Sequence, residues 1–502
     1  MDFREEYRRW LEKADADIAE ELKKIEGNDA AIEDAFYRDL AFGTGGLRGV
    51  IGAGTNRMNV HTVAKASQGL ANYVNATFPE GKRKIAVSYD SRIKSDLFSR
   101  VASAVFAENG IEVWIYPQLM PTPCLSYAVR ALGCAAGVMV TASHNPAKYN
   151  GYKVYGPDGC QITTEAAAVI LAEIEKLDVF ADVKRGDFDA LLAQGKIRWI
   201  GEDVYTAFVE EVKRQTPVRP DEAMALGMET AKREHADLLL ATDPDCDRCG
   251  IAVKNEDGDY VLLSGNETGM LLLDYVCARR TANGTMPERP VMVKTIVTID
   301  MAERIAAKYG VETVNVLTGF KFIGEQIGLL EKKGEANRYI FGFEESYGYL
   351  SGTYVRDKDA VNAAFLICEM FAWYRTRGVS LLQRLNELYA EYGFCLNTLH
   401  SFEFEGSAGM QKMQGLMAAF RADCGSIGGL KVEKILDYAP GLDGLPKSDV
   451  LKYRLANNGS VVVRPSSTEP KLKTYISVSA PSREEAAAVE KRIAADLAAR
   501  MA

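Results

Sequence analysis

Residues 141–146 read Thr-Ala-Ser-His-Asn-Pro, and Lys153 follows seven residues after Pro146. The apolar run at 135–140 predicts a buried strand, so Ser143 should lie on the turn at the carboxyl end of that strand. Open α/β sheets place their chemistry at this edge. A serine beside a histidine, without a Gly-x-Ser-x-Gly elbow, suits a phosphoryl carrier better than an acyl-transfer nucleophile. An ordinary turn rich in Ser, Asn and Pro is the alternative interpretation.

A second loop offers carboxylates. Asp243, Asp245 and Asp247 alternate directly after the apolar run 236–241, and Arg248 follows them. Three carboxylates at alternate positions can converge their oxygens on one hard cation, and Mg²⁺ takes one or a few carboxylates together with phosphate oxygens and water. The loop therefore predicts a Mg²⁺ site that holds a phosphorylated serine. The alternative is a solvated acidic turn.

Two further loops carry weaker signals. Glu344 and Ser346 follow a buried-looking strand, where a carboxylate and a hydroxyl can bind sugar hydroxyls. A helix or turn cap explains the same residues equally well. Thr318 and Gly319 follow the strand that ends at Leu317, and without context they are a plain strand-to-helix turn.

The loop 464–470 reads Arg-Pro-Ser-Ser-Thr-Glu-Pro, with Arg464, Ser466 and Thr468 among its polar residues. Successive hydroxyls and backbone N–H groups beside an arginine form an anion-binding nest. The loop therefore favours phosphate binding over a plain polar turn. Lys358 can supply a further positive charge to a substrate cleft. The mixed charges around it are also typical of a solvated helix start.

The bulk properties restrict the function classes. The chain has 502 residues, a net charge of −9 and 26% charged residues. This acidic balance argues against nucleic acid or an anionic membrane as the main partner, because both favour a basic surface. The nine cysteines are an odd number spread through apolar segments, which is typical of reduced thiols in a cytoplasm. The sequence shows no signal peptide and no membrane span, so a cytoplasmic protein is expected.

The elements around these loops indicate an α/β fold with several domains. Strands and helices alternate after a predicted opening helix at 2–24 and a glycine-rich loop at 42–49, which is the pattern of a βαβ sheet. Because single cores rarely exceed about 250 to 300 residues, the chain should divide. We expect three α/β domains with mixed or parallel sheets and a C-terminal α+β domain, with boundaries at 1–215, 216–262, 263–396 and 397–502.

In their order along the chain, the five loops resemble those of the α-D-phosphohexomutase superfamily. The opening sequences Phe42-Gly-Thr-Gly-Gly-Leu-Arg48-Gly and Gly54-Thr-Asn-Arg-Met-Asn59 are similar to its phosphoglucomutase and phosphopentomutase branch. The similarity extends over nearly the whole chain. It implies four domains arranged around a central cleft.

The resemblance also implies residue roles. Ser143 would be the phosphorylated residue and would bind Mg²⁺ together with Asp243, Asp245 and Asp247. The catalytic neighbours would be Arg48, His144, Lys153 and Lys358. The implied substrate contacts are Arg248, Thr318, Gly319, Glu344, Ser346, Arg464, Ser466 and Thr468.

The implied reaction interconverts glucose 1-phosphate and glucose 6-phosphate. Phosphoserine donates to the free hydroxyl of a sugar monophosphate, and the resulting bisphosphate turns around and returns its other phosphate to Ser143. Glucose 1,6-bisphosphate would prime the enzyme, and Lys153 or Lys358 would act as general base. Phosphopentomutase or phosphomannomutase activity is the alternative, because steric differences between sugars discriminate by only about 1 to 3 kcal/mol.

The sequence departs from the family pattern in the second domain. Between Arg214 and Asp243 it leaves room for one helix and one strand, as though a βαβ element were missing near 216–221. Such a sheet would have an exposed edge. A catalytically weak sugar-phosphate-binding protein and a Mg²⁺-dependent phosphatase therefore remain alternatives to a mutase.

Overall fold

The computed structural model describes residues 2–43, 45–215, 236–404, 406–422, 424–442, 444–456, 459–465 and 471–501. The chain divides into two compact units. The first unit comprises residues 1–214, 242–248 and 353–361, and the second comprises residues 215–241, 249–352 and 362–502. No helix in the described ranges is long and apolar enough to cross a bilayer.

The first unit is built on a mixed sheet. Its strands within the described ranges are β1 Phe42–Gly43, β2 Gly46–Val50, β3 Lys84–Tyr89, β4 Glu112–Ile115, β5 Ala136–Val140, β6 Tyr149–Tyr155 and β7 Ile197–Trp199. They are ordered β1-β2-β6-β5-β3-β4-β7. The pairs β3–β4, β3–β5 and β4–β7 are parallel, whereas β5–β6, β6–β2 and β2–β1 are antiparallel. The α/β prediction is confirmed for this part of the chain.

Helices cover this sheet, and their bounds are Phe3–Lys13, Ala16–Lys23, Asp29–Phe36, Val60–Thr77, Ser95–Glu108, Thr122–Ala131, Thr164–Glu175, Phe188–Ala193 and Glu202–Arg214. The predicted single helix at 2–24 is wrong, because Ala14 is extended with φ −74° and ψ 160°. The N–H of Asp15 donates to His61 Nε2 at 3.2 Å instead of to a helical carbonyl. This tertiary contact replaces the helical bond at the break.

The glycine-rich segment at 42–49 is a hairpin rather than the predicted loop. Its strand β2 pairs with β6, with Arg48 opposite Gly151. Gly46 has φ 145°, and a Cβ atom there would lie 1.8 Å from the carbonyl oxygen of Tyr152. Glycine is therefore required at this position for β2 to reach β6. The pairing places Arg48 on a strand.

Before its C-terminal part, the second unit contains two small sheets among its described residues. The strands β8 Leu238–Thr242, β9 Cys249–Lys254 and β10 Tyr260–Leu263 are ordered β10-β9-β8. The strands β11 Val291–Thr295, β12 Glu312–Val316, β13 Tyr339–Glu344 and β14 Gly348–Leu350 are ordered β12-β11-β13-β14. The accompanying helices are Gly265–Ala282, Met301–Lys308, Phe320–Lys332, Ala360–Arg375 and Leu381–Tyr392.

The C-terminal part is an antiparallel sheet with two helices, as the α+β prediction requires. Its strands are β15 Phe394–Glu403, β16 Ser426–Ile427, β17 Leu430–Asp437, β18 Leu451–Leu455, β19 Ser460–Pro465 and β20 Lys471–Ala480. They are ordered β15-β20-β19-β18-β17-β16, and the helices are Gly406–Ala422 and Arg483–Met501.

Two predictions fall outside the described residues. The helix expected after Pro217, with the proposed loss near 216–221, lies in the range 216–235 that the structure does not describe. The sequence Asn457-Asn458-Gly459 also predicts a hairpin turn. Residues 457 and 458 lie outside the described residues, although β18 and β19 on either side pair antiparallel.

Candidate active site

Ser143 lies just beyond the carboxyl end of β5, on the turn where the sequence predicts it. It is buried, and its backbone φ of 52° is in the left-handed region that non-glycine residues rarely adopt. Its N–H donates to Thr141 Oγ1 at 2.8 Å. The turn is therefore ordered by its own threonine.

The acidic loop 243–248 meets this serine directly. Ser143 Oγ donates to Asp243 Oδ2 at 2.7 Å, although the two residues are 100 positions apart. Asp243 Oδ1 accepts the backbone N–H groups of Asp247 at 3.2 Å and Arg248 at 3.0 Å. The loop thus holds its first carboxylate in a fixed orientation against the serine hydroxyl.

The three aspartates form a compact oxygen cluster. One carboxylate oxygen from each of Asp243, Asp245 and Asp247 lies within 4.8 Å of the others. Asp245 and Asp247 are fully buried, and among the described residues their Oδ1 atoms have no hydrogen-bond partner. Leaving buried carboxylate oxygens unsatisfied is costly, and a hard cation with oxygen ligands would satisfy them. The donor set fits Mg²⁺.

Two lysines border the aspartates. Lys153 Nζ lies 2.7 Å from Asp245 Oδ2 and 3.5 Å from Asp247 Oδ2. Lys358 Nζ lies 2.9 Å from Asp247 Oδ2 and 3.3 Å from Asp357 Oδ1. Lys153 is on β6 and Lys358 is on the segment 353–361, so distant parts of the first unit supply the cations.

These charges set the pKa values of the cluster. Burial, followed by the charges of Asp247 and Asp245, raises the pKa of Asp243 to about 6. Burial opposes ionisation of Asp247 as well, but Lys358, Lys153 and Arg248 hold its pKa below the ordinary range. Burial also acts against the charge of Lys153, yet Asp245 and Asp247 raise its pKa. The pKa values of these charged groups therefore depend on one another.

Arg48 and His144 lie at the same loop. Arg48 Nη1 donates to Asn145 Oδ1 at 3.2 Å, and Ser143 Oγ lies 3.2 Å from His144 Nδ1. Burial, followed by the charges of Arg248 and Arg48, lowers the pKa of His144 to about 4. The histidine is therefore neutral near pH 7 and can exchange a hydrogen bond with Ser143 without adding charge.

The predicted sugar loops belong to the second unit. Glu344 is the last residue of β13 and is buried, and Ser346 follows it on the turn to β14. Thr318 and Gly319 follow β12, and Gly319 has φ 122° immediately before the helix Phe320–Lys332. Each loop therefore leaves the carboxyl end of its strand.

The predicted phosphate loop is described in part. Arg464 is on β19, opposite Lys473 on β20, whereas Ser466 and Thr468 lie outside the described residues. Burial, followed by the charges of Glu345 and then Glu344, raises the pKa of Tyr475, while Arg464 lowers it. The glutamates of the sugar loop and the arginine of the phosphate loop therefore lie near the same tyrosine of the second unit.

Family models match successive parts of the chain. The phosphoglucomutase/phosphomannomutase models for α/β/α domains I, II and III match residues 39–179, 204–258 and 264–392, and the model for the C-terminal domain matches residues 408–496. The chain belongs to the phosphoglucomutase/phosphomannomutase family. The resemblance to the α-D-phosphohexomutase superfamily is confirmed, and with it the assignment to a family of mutase enzymes.

Relatives of this family member are similar over nearly their whole length. A phosphoglucomutase of Staphylococcus saprophyticus is 31% identical over 542 aligned positions, which cover 95% of this chain and 97% of the relative. A phosphoglucomutase of Staphylococcus aureus strain USA300 is 33% identical, with 95% and 96% covered. Because 95% of a 502-residue chain fills fewer than 542 positions, the relatives carry residues that this chain lacks.

Solved structures share the fold. The parafusin phosphoglucomutase of Paramecium, in an open form, has a TM-score of 0.65 at 16% identity, with 92% of this chain and 95% of that chain covered. A phosphoglucomutase/phosphomannomutase family protein of Burkholderia thailandensis has a TM-score of 0.59 at 16% identity, with 91% and 97% covered. At this identity the likeness concerns the fold alone.

Several residues at the site of this family member were missed by sequence reasoning. Thr122 Oγ1 donates to Asp245 Oδ2 at 3.3 Å, and Tyr155 Oη donates to Asp357 Oδ2 at 2.8 Å. Arg92 donates to the carbonyl oxygen of Ser143. The available signal for Arg92 was its position just after β3, at the same edge of the sheet as the turn after β5.

Proposed function

We propose that the chain is a phosphoglucomutase that interconverts glucose 1-phosphate and glucose 6-phosphate through a phosphoserine at Ser143. The observation that carries this proposal is the 2.7 Å contact between Ser143 Oγ and Asp243 Oδ2, beside the buried carboxylates of Asp245 and Asp247. The phosphoglucomutases that the chain resembles over 95% of its length support the choice of reaction and sugar.

The transfer is a displacement at phosphorus. The hydroxyl oxygen of the sugar forms a new P–O bond while the bond between phosphorus and Ser143 Oγ breaks. The proton of the sugar hydroxyl passes to a nearby base and ends on Ser143 Oγ, so the products are a sugar bisphosphate and a free serine. The same exchange in reverse, after the bisphosphate has turned around, returns its other phosphate to Ser143.

Asp243, Asp245 and Asp247 would hold one Mg²⁺ ion together with the oxygens of phosphorylated Ser143. When bound, the ion supplies charge neutralisation for the transferred phosphoryl group, which is where such reactions need most stabilisation. Arg48 and Arg248 provide fixed cations in the same unit, and neutral His144 contacts Ser143 Oγ.

Lys153 and Lys358 are the proposed proton-handling groups. Burial opposes the charge of Lys153, but Asp245 and Asp247 raise its pKa, so this lysine would act as a base only when a bound cation offsets the charge of these aspartates. Both ammonium groups lie within 3.5 Å of Asp247 Oδ2, so both are close to the reacting serine loop. A general base at the attacking hydroxyl is worth about 10² to 10⁴ in rate. Replacing each lysine by methionine in turn, and measuring single-turnover transfer from phosphorylated Ser143 to glucose 1-phosphate, assigns the role to the variant with the larger loss.

In the second unit, Glu344 and Ser346 would bind sugar hydroxyls, and Thr318 and Gly319 would contribute further substrate contacts. Arg464, Ser466 and Thr468 would hold the phosphate that is not being transferred. The pairing of Arg464 with Lys473 across β19 and β20 supports this role, because it places two cationic residues side by side. The substrates are therefore small sugar phosphates, glucose 1,6-bisphosphate is the proposed primer, and the cytoplasm is the proposed location.

The test is turnover of glucose 1-phosphate with glucose 1,6-bisphosphate as primer, in the unmodified protein and in Ser143→Ala. We expect Ser143→Ala to abolish turnover, because no other hydroxyl is paired with Asp243 among the described residues. Ser99→Ala is the matched control, since Ser99 is a buried serine of the same unit whose Oγ donates to the Asp96 carbonyl. Near-normal activity in Ser143→Ala would refute the proposal.

A sugar-phosphate-binding protein with weak activity is the second candidate. It is favoured by the residues that relatives carry and this chain lacks. Intact-protein mass spectrometry separates the two: loss of the phosphate from Ser143 on addition of sugar monophosphate supports a mutase, and binding without exchange supports the alternative. Steady release of inorganic phosphate would indicate a phosphatase, and parallel assays with mannose and ribose 1-phosphates test the sugar.

A further inference from the structure

The side chain of Arg92 binds the backbone of the loop that carries Ser143. Its Nε donates to the carbonyl oxygen of Ser143 at 3.0 Å, and its Nη1 donates to the carbonyls of Pro146 at 3.2 Å and Tyr149 at 3.1 Å. Its Nη2 donates to the carbonyls of Ser143 and Asn145. All three guanidinium nitrogens are thus directed at one loop, which the planar fork of an arginine can do and a lysine ammonium cannot.

Asp90 orients Arg92 and, through Thr141, also holds the backbone N–H of Ser143. Arg92 is 7% exposed, its Nε lies 3.6 Å from Asp90 Oδ2, and its backbone N–H donates to Asp90 Oδ1 at 3.0 Å. Asp90 Oδ2 also accepts from Thr141 Oγ1 at 2.6 Å, and Thr141 Oγ1 accepts the N–H of Ser143 at 2.8 Å. The peptide groups on both sides of Ser143 are therefore held from a single point on the loop after β3.

The backbone that these contacts hold is sterically unfavourable. Ser143 has φ 52°, and in the described part of the first unit the other non-glycine residues with positive φ are Lys94 and Cys246. Lys94 follows the Asp90–Arg92 turn, and Cys246 is in the acidic loop. Left-handed φ values persist in residues with a Cβ atom only where surrounding contacts impose them. The three strained residues lie in three adjoining loops of one site.

The direction of the Ser143 side chain depends on this conformation. Rotating φ to the ordinary negative range would swing Cβ and Oγ away from their present position, and the 2.7 Å contact with Asp243 Oδ2 would be lost. In-line phosphoryl transfer is slowed about 100-fold when a reacting group is misplaced by about 1 Å, so a modest rotation at Ser143 is sufficient to slow it.

We propose that Arg92 is a positioning residue of the phosphoryl transfer: it clamps the carbonyls of the loop 143–149 and so holds Ser143 Oγ toward the aspartate cluster. The inference rests on the proposed function of Ser143. Arg92 acts through the loop backbone, because its guanidinium nitrogens are directed at carbonyl oxygens.

The test compares Arg92→Lys and Arg92→Ala with Arg83→Lys in the full-length protein with Mg²⁺. Arg83 is a matched control, because its Nε and Nη2 also donate to backbone carbonyls, those of Phe78 and Asn75, each at 3.0 Å. We expect Arg92→Lys to lower kcat for glucose 1-phosphate about 100-fold, the cost of a reacting group misplaced by about 1 Å. KM should stay within about threefold, since the substrate contacts are untouched.

Two readouts separate positioning from general stability. Guanidinium ion should restore kcat of Arg92→Ala in a saturable manner and leave Arg83→Lys unaffected. The melting midpoint of Arg92→Lys should lie within about 3 °C of that of Arg83→Lys, because both variants exchange an arginine that binds backbone carbonyls for a lysine.

The proposal is overturned by a kcat of Arg92→Lys within threefold of the unmodified protein, or by a rise in KM with kcat unchanged. Failure of both Arg92 variants to fold while Arg83→Lys folds would also overturn it, because Arg92 would then serve stability alone. The unmodified protein is assayed first for phosphate exchange on Ser143. Absence of that exchange counts against the proposed function, whereas its presence with unaffected Arg92 variants counts against the clamp alone.

Discussion

Two buried charge clusters of this chain combine aspartates and lysines in opposite proportions. In the first unit, Asp243, Asp245 and Asp247 face Lys153 and Lys358, so carboxylates outnumber lysines. In the second unit, the carboxylate of Asp300 lies between two lysines: its Oδ1 accepts from Lys294 and from Lys452, each at 3.2 Å. Glu303 Oε1 lies 3.1 Å from Lys294 Nζ.

The two clusters also differ in how completely their oxygens are used. Asp300 Oδ2 accepts from Ser460 Oγ at 3.2 Å, so both of its oxygens have partners. In the described part of the first unit, Asp245 Oδ1 and Asp247 Oδ1 accept no hydrogen bond, and Arg248 Nε lies 3.7 Å from Asp247 Oδ1. A saturated cluster is typical of a structural tie, here between the loop after β11 and strands β18 and β19. A cluster with carboxylate oxygens that accept no hydrogen bond is typical of a cation-binding site.

The largest effect should come from removing one charge of the cluster of Asp243, Asp245 and Asp247. We expect Asp245→Asn, an isosteric change, to lower kcat at least about 10³-fold, because it weakens the electrostatic stabilisation of the transferred group. Stability should stay near that of the unmodified protein, since weaker repulsion among the three carboxylates offsets the weakened ion pair with Lys153. A coupled assay for glucose 6-phosphate and a melting curve measure the two quantities. Asp245→Asn with normal kcat would show that the cluster is not the metal site.

Removing the shared carboxylate of the saturated cluster should have the opposite outcome. Asp300→Ala leaves buried Lys452 without its carboxylate and Lys294 with Glu303 alone, so the free energy of unfolding should fall by about 3 to 5 kcal/mol. Urea unfolding measures it. The triple variant Lys294→Met, Asp300→Leu and Lys452→Met should recover most of the loss, because both buried lysines are removed and Glu303, whose side chain is 35% exposed, remains in contact with solvent. A loss below about 1 kcal/mol would contradict the structural role, since that is the range of exposed ion pairs.

The stability that Asp300 contributes should depend on pH in a defined direction. Burial opposes ionisation of Asp300, but Lys294 and Lys452 lower its pKa below the ordinary value. A carboxyl with a lowered folded-state pKa stabilises the fold above its unfolded pKa, about 3.9, and loses this effect as the pH falls. The gap between the unmodified protein and Asp300→Asn should therefore be constant from pH 7 to about 5 and narrow below about pH 4. A gap that widens on acidification would contradict the assignment.

Mg²⁺ should stabilise the folded protein through the cluster of Asp243, Asp245 and Asp247 and not through the cluster around Asp300. At a free Mg²⁺ concentration of 100 times Kd, the unmodified protein should gain about 2.7 kcal/mol in free energy of unfolding. Asp300→Asn should keep this increment and Asp245→Asn should lose it, because only the latter removes a proposed ligand. Melting curves with and without EDTA measure the gain. An equal gain in Asp245→Asn would place the ion elsewhere.

The smallest expected effect concerns the hydroxyl that completes the saturated cluster. Ser460→Ala should lower the free energy of unfolding by about 1 kcal/mol, the net worth of one hydrogen bond to a buried group. Its kcat should be unchanged, since Ser460 Oγ donates to Asp300 and, among the described residues, makes no hydrogen bond to the proposed active site. Urea unfolding and the coupled assay check both statements, and a loss of kcat at unchanged stability would argue for a functional cluster.

Much of the candidate site was predictable because its loops follow short apolar strands. The run at 135–140 forms β5 and is followed by Ser143, and the run at 236–241 leads into the acidic loop. β13 ends at Glu344 in the same way. In each case a local pattern of hydrophobic residues locates the strand, and the strand locates the polar turn.

The residues that surround the serine were harder to place. The segment 42–49 reads as a glycine-rich loop, yet β2 forms because it can pair with β6. This pairing gives Arg48 and Lys153 their positions on neighbouring strands. Arg92 reads as one polar residue in a turn, and its contacts are with carbonyls more than 50 positions away.

By itself, the sequence determined which residues are available for phosphoryl transfer and at which strand ends they lie, because both depend on short-range patterns. The tertiary structure alone decided that Ser143 Oγ contacts Asp243 and that two aspartate oxygens accept no hydrogen bond in the described chain. It also decided that Arg92 binds the carbonyls of the serine loop. These outcomes depend on strand pairing and burial between distant segments. Such long-range contacts determine both the strain at Ser143 and the charge balance around the aspartates.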